Sequence, residues 1–500
     1  MEYKDATIEE IEQIIQQSWA AFEVYRNFSL QKRAAFMRAI AAELDKTGDA
    51  LLETAAAETH LPLARLRNER ARTMFQLTSY ADACEAGNWL EARIDTAVAD
   101  KNPPKPDLRK MLVPLGPVVV FGAANFPFAY STAGGDTACA LAAGCPVIVK
   151  AHPAHAHTSQ LVADAITRAA RATGIPDGVF AHIHGASFEV GKALIEHPLI
   201  RAAGFTGSFA GGKQLFDWAN QRKEPIPVFA EMSSVNPVYL LPGKLKEAAE
   251  ETARLYAGSI TLGVGQFCTN PGILVAVEGE ALDRFKNVLT EEIKKTAPGD
   301  MLNIGIFKNY VEKRANALAQ EGVEITAVPE ADPQLEQGLP TIATTTAAVF
   351  LENPLLQKEV FGPYSLLVVC LSEAEMLEVA RHMEGQLTST LMASQEDLAR
   401  NRYLIDVVKN QCGRLILNGV PTGVEVCLSM QHGGPYPSTT DARFTSVGAD
   451  GIKRFARPVA FQNWNDEWLP AELQNSNPLG IWRTVNDELT KEPVNKSISE

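Results

Sequence analysis

The chain has 500 residues, with 46 Lys plus Arg against 60 Asp plus Glu; the formal charge of -14 sets its field against DNA, RNA and acidic membrane surfaces. With 46% hydrophobic and 21% charged residues, 35 Gly and 29 Pro, it is neither low-complexity nor disordered. The length suits about three lobes.

The acidic start, MEYKDATIEEIEQ, lacks the basic and apolar stretches of a signal peptide, and the longest apolar run, Met111 to Ala124, is broken by Pro114, Gly116, Pro117 and Gly122. The expectation is a cytoplasmic protein with no transmembrane helix. From Thr7 to about Ala86 apolar residues recur at three and four spacing, as in Ile8, Ile11, Ile14 and Ile15 and then Phe36, Ile40 and Leu44, which predicts amphipathic helices. From Gly87 to Leu115 the strand-like Trp89 to Ile94 and Lys110 to Val113 flank a Pro-containing turn at Asn102 to Pro106, a projecting hairpin suited to subunit contact.

After Gly116, apolar runs at Val118 to Phe121, Val147 to Val149, Val179 to Ile183, Ala202 to Phe205 and Val228 to Ala230 alternate with helical stretches such as Ser159 to Ala172 and Gly212 to Gln221. A second alternating set follows from Val238 to about Leu417. Its expected helices are Leu245 to Tyr256, Leu282 to Lys295 and Glu373 to Arg381; its expected strands are Ile273 to Val277, Ala347 to Leu351 and Leu366 to Cys370. The fold class is therefore α/β, with two parallel-sheet lobes. From Gln462 the sequence, rich in Asn, Trp and Pro, reads as an irregular tail.

The seven cysteines, Cys84, Cys139, Cys145, Cys268, Cys370, Cys412 and Cys427, include no CxxC pair, so neither a disulfide framework nor a zinc knuckle is indicated. Cys268 stands out because Gly263, Gly265 and Pro271 put it in a loop, where reactive groups gather; a buried small side chain is the rival reading. Glu231 follows three apolar strand residues, at the sheet edge where α/β folds bind ligands, or is a plain strand-end carboxylate. Asn125, before Phe126 and Pro127, offers an amide to a developing oxyanion or simply makes a turn. Gly204 to Gly212 links a strand to a helix with small residues that let a helix N-terminus approach a phosphate, although a tight turn fits equally. His152, His155 and His157 have no Cys or carboxylate close in sequence, and no metal is expected there; no G-x-S-x-G elbow occurs.

In this order and spacing, Asn125-Phe126-Pro127, Lys150 after Val147-Ile148-Val149, Phe205-Thr206-Gly207-Ser208, Glu231 with Asn236-Pro237, Gly265-Gln266-Phe267-Cys268 and Glu359-Val360-Phe361-Gly362-Pro363 resemble the aldehyde dehydrogenase superfamily over nearly the whole chain. The resemblance implies that Cys268 attacks an aldehyde, that Asn125 and the Cys268 backbone N–H hold the oxyanion, and that Glu231 activates the water that hydrolyses the thioester. It further implies that Lys150 meets the adenosine ribose, Gly207 and Ser208 the pyrophosphate, and Glu359 the nicotinamide ribose, with Phe361 beside that ring. Where NAD-preferring members carry a Glu three residues after the strand-end Lys, this chain has Pro153, which lifts repulsion against a 2'-phosphate. Lys150 and the nearby histidines are then expected to balance that phosphate. NADP is the expected cofactor, with NAD tolerated.

Further details are similar to the 2-oxoglutarate semialdehyde (2,5-dioxopentanoate) dehydrogenases: Asn125 to Ala129, Gly134-Gly135-Asp136-Thr137-Ala138, Lys150 to His155, and His432-Gly433-Gly434-Pro435-Tyr436-Pro437. They also resemble NADP-dependent fatty aldehyde dehydrogenases, and a non-catalytic oligomeric relative is the alternative of another class. Glu231-Met232-Ser233-Ser234 departs from the family's Glu-Leu-Gly-Gly. By family position the substrate mouth involves Phe126, Tyr130, Phe267, Thr269 and the stretch Met430 to His432, with Arg443 a candidate carboxylate partner or an anchor of its own loop. The implied organisation is a cofactor-binding domain of residues 1–86 and 116–236, a catalytic domain of 237–456, and an oligomerisation hairpin and tail of 87–115 and 457–500. The implied assembly is a homodimer or homotetramer acting on a small aldehyde.

Overall fold

The computed structural model describes residues 3–494, so the last six positions of the expected tail lie outside the described residues. Four helices open the chain, Ile8–Tyr25, Leu30–Lys46, Gly48–Thr59 and Leu63–Ala86. The first begins at a capping box in which Thr7 and Glu10 exchange side-chain-to-backbone bonds. The fourth ends at Gly87, whose φ of 71° lies in the left-handed region. Its inward stripe is unusual because it buries Glu69, Thr73 and Gln76 beside Leu66, Leu77 and Tyr80. Buried polar groups at helical spacing need partners, and this stripe faces the candidate site.

Five parallel strands form the first sheet in the spatial order Phe180–Ile183, Val147–Lys150, Val118–Phe121, Ala202–Thr206, Val228–Glu231. The first of these in sequence, Val118–Phe121, is central, so the winding reverses there and leaves a crevice outside the C-terminal strand ends. Register puts Phe121 opposite both Lys150 and Phe205, and Thr206 opposite Glu231. The residues that follow these strands are therefore delivered to one edge.

The second sheet has seven strands in the order Glu324–Ala327, Thr341–Thr346, Tyr364–Cys370, Ile273–Val277, Val238–Leu240, Gln386–Met392, Cys412–Leu417. All neighbours are parallel except the first pair. One expectation is corrected: Ala347–Glu352 is a helix, and the strand lies just before it at Thr341–Thr346. The Thr346 hydroxyl accepts from the Val349 N–H and starts the helix where the apolar run alone read as a strand. A third, mostly antiparallel sheet joins Ala456–Gln462, Leu108–Pro114, Arg93–Asp95, Arg483–Val485 and Glu488–Thr490, bringing the hairpin and the tail together. Among the described residues no helix is long and apolar enough to cross a membrane.

Candidate active site

A cleft of about 450 Å³ runs along the edge of the first sheet. Asn125, Glu231 and Cys268 line it, as do Ser208, Glu359 and Phe361. Residues separated by up to 239 positions in sequence, from Gly122 to Phe361, thus share one cavity.

Cys268 is presented by a strained loop. Gly263, Val264 and Gly265 all have positive φ, at 53°, 58° and 63°. A Cβ on Gly265 would stand 2.3 Å from the Gly362 backbone, so only glycine fits. Asn236 clamps the loop from below: fully buried, it donates from Nδ2 to the carbonyls of Cys268 and Asn270, both at 2.9 Å. The Asn125 side chain donates to the Gln266 carbonyl at 3.1 Å, which aims its amide at the segment preceding the thiol. Gln266 in turn accepts from the Leu302 N–H at 3.0 Å.

Glu231 is buried, and its carboxylate accepts from Ser446 Oγ at 2.6 Å and lies 3.1 Å from His432 Nε2. The same ring nitrogen is 3.6 Å from Cys268 Sγ. The thiol, the carboxylate and the imidazole thus present three reactive atoms within 4.8 Å of one another. Burial pushes the Glu231 carboxyl up, but the charge and hydrogen bond of His432, with Ser446 and Cys268, outweigh it and hold it below the usual carboxylate value. Burial pushes the Cys268 thiol well up, and the adjacent Glu231 charge pushes it further.

At the mouth Phe126 packs edge-on against Tyr130 and Phe267, with ring centroids 5.3 and 5.7 Å apart. Thr269 is buried. Two arginines that sequence reading missed stand here, both from the helix Leu63–Ala86. Arg65 lies 5.1 and 4.9 Å from the centroids of Phe126 and Phe267 and donates to the Asn125 carbonyl at 2.8 Å. Arg72 lies 5.5 Å from the Tyr130 centroid and donates to its hydroxyl at 3.5 Å. Arg65 Nη1 and Arg72 Nε are buried without a partner among the described residues. Glu69 between them accepts from the N–H groups of Phe128 and Ala129. Arg443, by contrast, is 80% exposed and forked onto Asp441 at 2.9 and 2.5 Å, the loop-anchor arrangement.

The other end of the cleft fits a dinucleotide. Ser208 caps the helix Phe209–Gln221, whose first turn carries no acidic residue. A Cβ on Gly207 or Gly211 would meet the Phe205 ring at 2.7 and 3.0 Å, so a side chain at either position would crowd that ring at the start of the helix. The two serines are absorbed by the protein: Ser233 accepts from the Phe209 N–H at 3.2 Å, and Ser234 Oγ lies 2.9 Å from both Asn236 Oδ1 and Gln386 Oε1, one of which takes its proton. Lys150 is half-buried; burial pushes its amine down and Asp5 pushes it up. The histidines beside it are a correction to the charge expected there: burial, then His155 and Lys150, push His152 down to about 3, so that ring is neutral. Each of the three also has its own partner, His152 the Ala154 N–H, His155 the Ala123 carbonyl and His157 the Tyr3 hydroxyl.

Two α/β lobes with a thiol, an amide and a carboxylate at the mouth of a dinucleotide-shaped cleft define an oxidoreductase that works on a carbonyl carbon. Residues 1–458 match the model of the aldehyde dehydrogenase family, and the chain belongs to that family. It is an NAD(P)-dependent enzyme acting on aldehydes. It is 49% identical over 464 residues to alpha-ketoglutaric semialdehyde dehydrogenase 2 of Azospirillum brasilense, covering 93% of this chain and 88% of the relative. It is 44% identical over 491 residues to the alpha-ketoglutaric semialdehyde dehydrogenase of Acinetobacter baylyi, covering 98% and 93%. Among solved structures it is similar to 1-pyrroline-5-carboxylate dehydrogenase from Thermus with bound NAD, at a TM-score of 0.77 and 21% identity, covering 92% of this chain and 86% of that one.

Proposed function

We propose that the chain oxidises 2-oxoglutarate semialdehyde to 2-oxoglutarate with NADP preferred, through a thioester on Cys268. The observation that carries the substrate class is the pair Arg65 and Arg72, each keeping a buried nitrogen without a partner beside the aromatic mouth. A substrate carboxylate satisfies such donors with charge-assisted hydrogen bonds. A long alkanal leaves them desolvated and unpaired, at a cost. The names of the relatives at 49% and 44% identity support the same reading.

Cys268 Sγ attacks the aldehyde carbonyl. The oxyanion is held by Asn125 Nδ2 and the Cys268 backbone N–H; losing one such donor costs about a hundredfold to a thousandfold in rate. NADP bound in the cleft supplies the hydride acceptor. Gly207 and Ser208 would hold its pyrophosphate, Glu359 would accept from ribose hydroxyls with Phe361 alongside, and Lys150 would donate to the adenosine ribose. Glu231 takes a proton from the water that hydrolyses the thioester. Preference for NADP is supported by Pro153, which takes away one carboxylate that would repel a 2'-phosphate, although the charge of Asp5 still reaches Lys150.

We also infer a homodimer or homotetramer. Cys412–Leu417 is an open edge of the seven-stranded sheet, with Leu415 and Leu417 at 38% and 50% exposure, and Ala456–Gln462 is an open edge of the five-stranded one. Pairing these edges between copies closes both. A catalytic thiol that must stay reduced supports a cytoplasmic site of action. The test of the reading is a comparison of kcat/KM for 2-oxoglutarate semialdehyde, succinic semialdehyde and a long alkanal with both cofactors. The oxo-acid with NADP is expected to lead, and a preference for the alkanal would overturn the substrate.

A further inference from the structure

We propose that Asp5 is a cofactor-specificity residue: its carboxylate opposes a 2'-phosphate beside Lys150 and holds the preference for NADP over NAD below what Pro153 alone would set. The proposal rests on the reading of Lys150 as the donor to the adenosine ribose.

Lys150 ends a strand of the first sheet between Phe121 and Ile183, its register partners on the two sides. Past Ile183 the chain turns through His184 to Ser187 into the helix Phe188–Glu196, and residues 3–7 cross that turn. Named contacts fix the crossing. Tyr3 stacks on His184 with ring centroids 3.9 Å apart, its hydroxyl lies 2.8 Å from His157 Nδ1, and the Ala6 N–H donates to the His184 carbonyl at 3.0 Å. Between them Asp5 accepts from the Ala186 and Ser187 N–H groups at 2.7 and 3.0 Å, one on each carboxylate oxygen. The backbone of the turn therefore sets the place of this charge.

A second carboxylate does the same on the other side. Glu58 accepts from the His157 and Thr158 N–H groups, at 3.0 and 2.8 Å, at the start of the helix Ala156–Ala172 that follows Lys150. The helix starts after the Lys150 strand and after its neighbour thus each hold one of the protein's own anions, where the helix dipole favours negative charge. By contrast, the first turn of Phe209–Gln221 carries no acidic residue. A pyrophosphate at Ser208 meets no such anion, whereas a 2'-phosphate at Lys150 enters a place already supplied with them.

Of the two carboxylates, Asp5 is the one whose charge couples to Lys150. The bonds from Ser187 and Ala186, helped by the Lys150 charge, hold its carboxyl below the usual value, and Asp5 in turn pushes the Lys150 amine up against burial. A 2'-phosphate, with nearly two negative charges at neutral pH, must share that ammonium with Asp5 and is repelled by it. NAD carries a hydroxyl there and meets no such repulsion. The bound phosphate itself keeps Lys150 protonated, so the ammonium does not depend on Asp5 once NADP is in place. Asp5 is exposed, which makes the effect modest and sensitive to salt.

The experiment is isothermal titration of the full chain with NADP and with NAD, in about 20 mM salt and again in about 0.5 M. Asp5→Asn keeps an acceptor for the turn and removes the charge. It is expected to tighten NADP binding by on the order of fivefold at low salt and by less than about twofold at high salt, with NAD unchanged. Release of the segment in that variant also takes the charge away, so the same gain for NADP is expected. Asp5→Glu, which keeps the charge, should keep the wild-type ratio. An unchanged NADP-to-NAD affinity ratio in Asp5→Asn, an equal gain for both cofactors, or an Asp5→Glu that behaves like Asp5→Asn overturns the proposal. The two readings fail separately: a Lys150→Gln that binds NADP as tightly as the wild type removes Lys150 from the ribose site, whereas a weakened Lys150→Gln beside an unchanged Asp5→Asn removes only the role of Asp5.

Discussion

Ser446 donates a hydrogen bond of 2.6 Å to the Glu231 carboxylate, tying the strand end that supplies the carboxylate to the loop that supplies His432. This bond is one of the contacts that lower the Glu231 carboxyl against burial, which pushes it up. A base acts in its ionised form, so hydrolysis is lost as pH falls through the folded-state value. Ser446→Ala raises that value, and the acid limb of kcat should move to higher pH than in the wild type. The stability side has the same sign: a depressed carboxyl contributes stability above its unfolded value of about 4.3, and the contribution is lost as pH falls through the folded value. An acid limb that does not move in Ser446→Ala contradicts the assignment.

Arg72→Met tests the carboxylate site more cleanly than a change at Arg65, because Arg65 also holds the Asn125 carbonyl. The methionine keeps most of the volume beside Tyr130 but removes the charge. A hydrogen bond to a charged group contributes about 1.5–3 kcal/mol, so kcat/KM for 2-oxoglutarate semialdehyde should fall roughly tenfold to a hundredfold. Propanal, which has no carboxylate, should lose much less, since Arg72 reaches its oxidation only through the charge that favours the Cys268 thiolate. Equal losses on both aldehydes would mean that Arg72 only supports the fold of the mouth.

Much of this site was legible in the sequence, and what was not has physical reasons. Glu231 and Asn125 drew notice because each follows a short apolar strand, but a strand-end carboxylate and a turn residue were the favoured readings until the resemblance gave them, and Lys150, roles. The strand ends Phe121, Lys150, Thr206 and Glu231 are in register at one sheet edge. Arg65 and Arg72 were invisible because charges on an amphipathic helix ordinarily mark its solvent face, and only packing reveals that this helix turns a polar stripe inward. His432 was expected near the mouth, but its approach to both Cys268 and Glu231 depends on a loop fold that no periodicity encodes. Ala347 to Leu351 was misread as a strand because a run of five residues carries too little period to separate strand from helix, and the Thr346 cap decided it.

Pro153 offers a gain-of-function test. Pro153→Glu restores a carboxylate beside the proposed ribose site and should weaken NADP binding by about tenfold or more through repulsion of the 2'-phosphate. NAD binding should hold or improve. Isothermal titration with both cofactors reads the outcome directly, and unchanged NADP affinity would remove Pro153 from the specificity argument.

Asp136 and Arg454 form a buried ion pair at 2.7 Å, with side chains 13% and 3% exposed. The pair joins the helix Gly135–Ala143 to the turn Ala449–Phe455, bracing the sheet that carries the site. Asp136→Asn leaves the Arg454 charge buried without its counter-ion and should cost about 3–5 kcal/mol, measured by urea unfolding. A loss below about 1 kcal/mol would mean that the guanidinium finds another partner.

The central claim is a covalent acyl group on Cys268, and the most direct measurement is to trap it. Glu231→Gln removes the proposed hydrolytic base, so a single turnover with 2-oxoglutarate semialdehyde and NADP should give a burst of NADPH followed by a steady state slower by about a hundredfold. Acid quenching at the end of the burst, proteolysis and mass spectrometry should find one 2-oxoglutaryl group on the peptide carrying Cys268. A burst without that adduct, or an adduct on any other cysteine, would contradict the account.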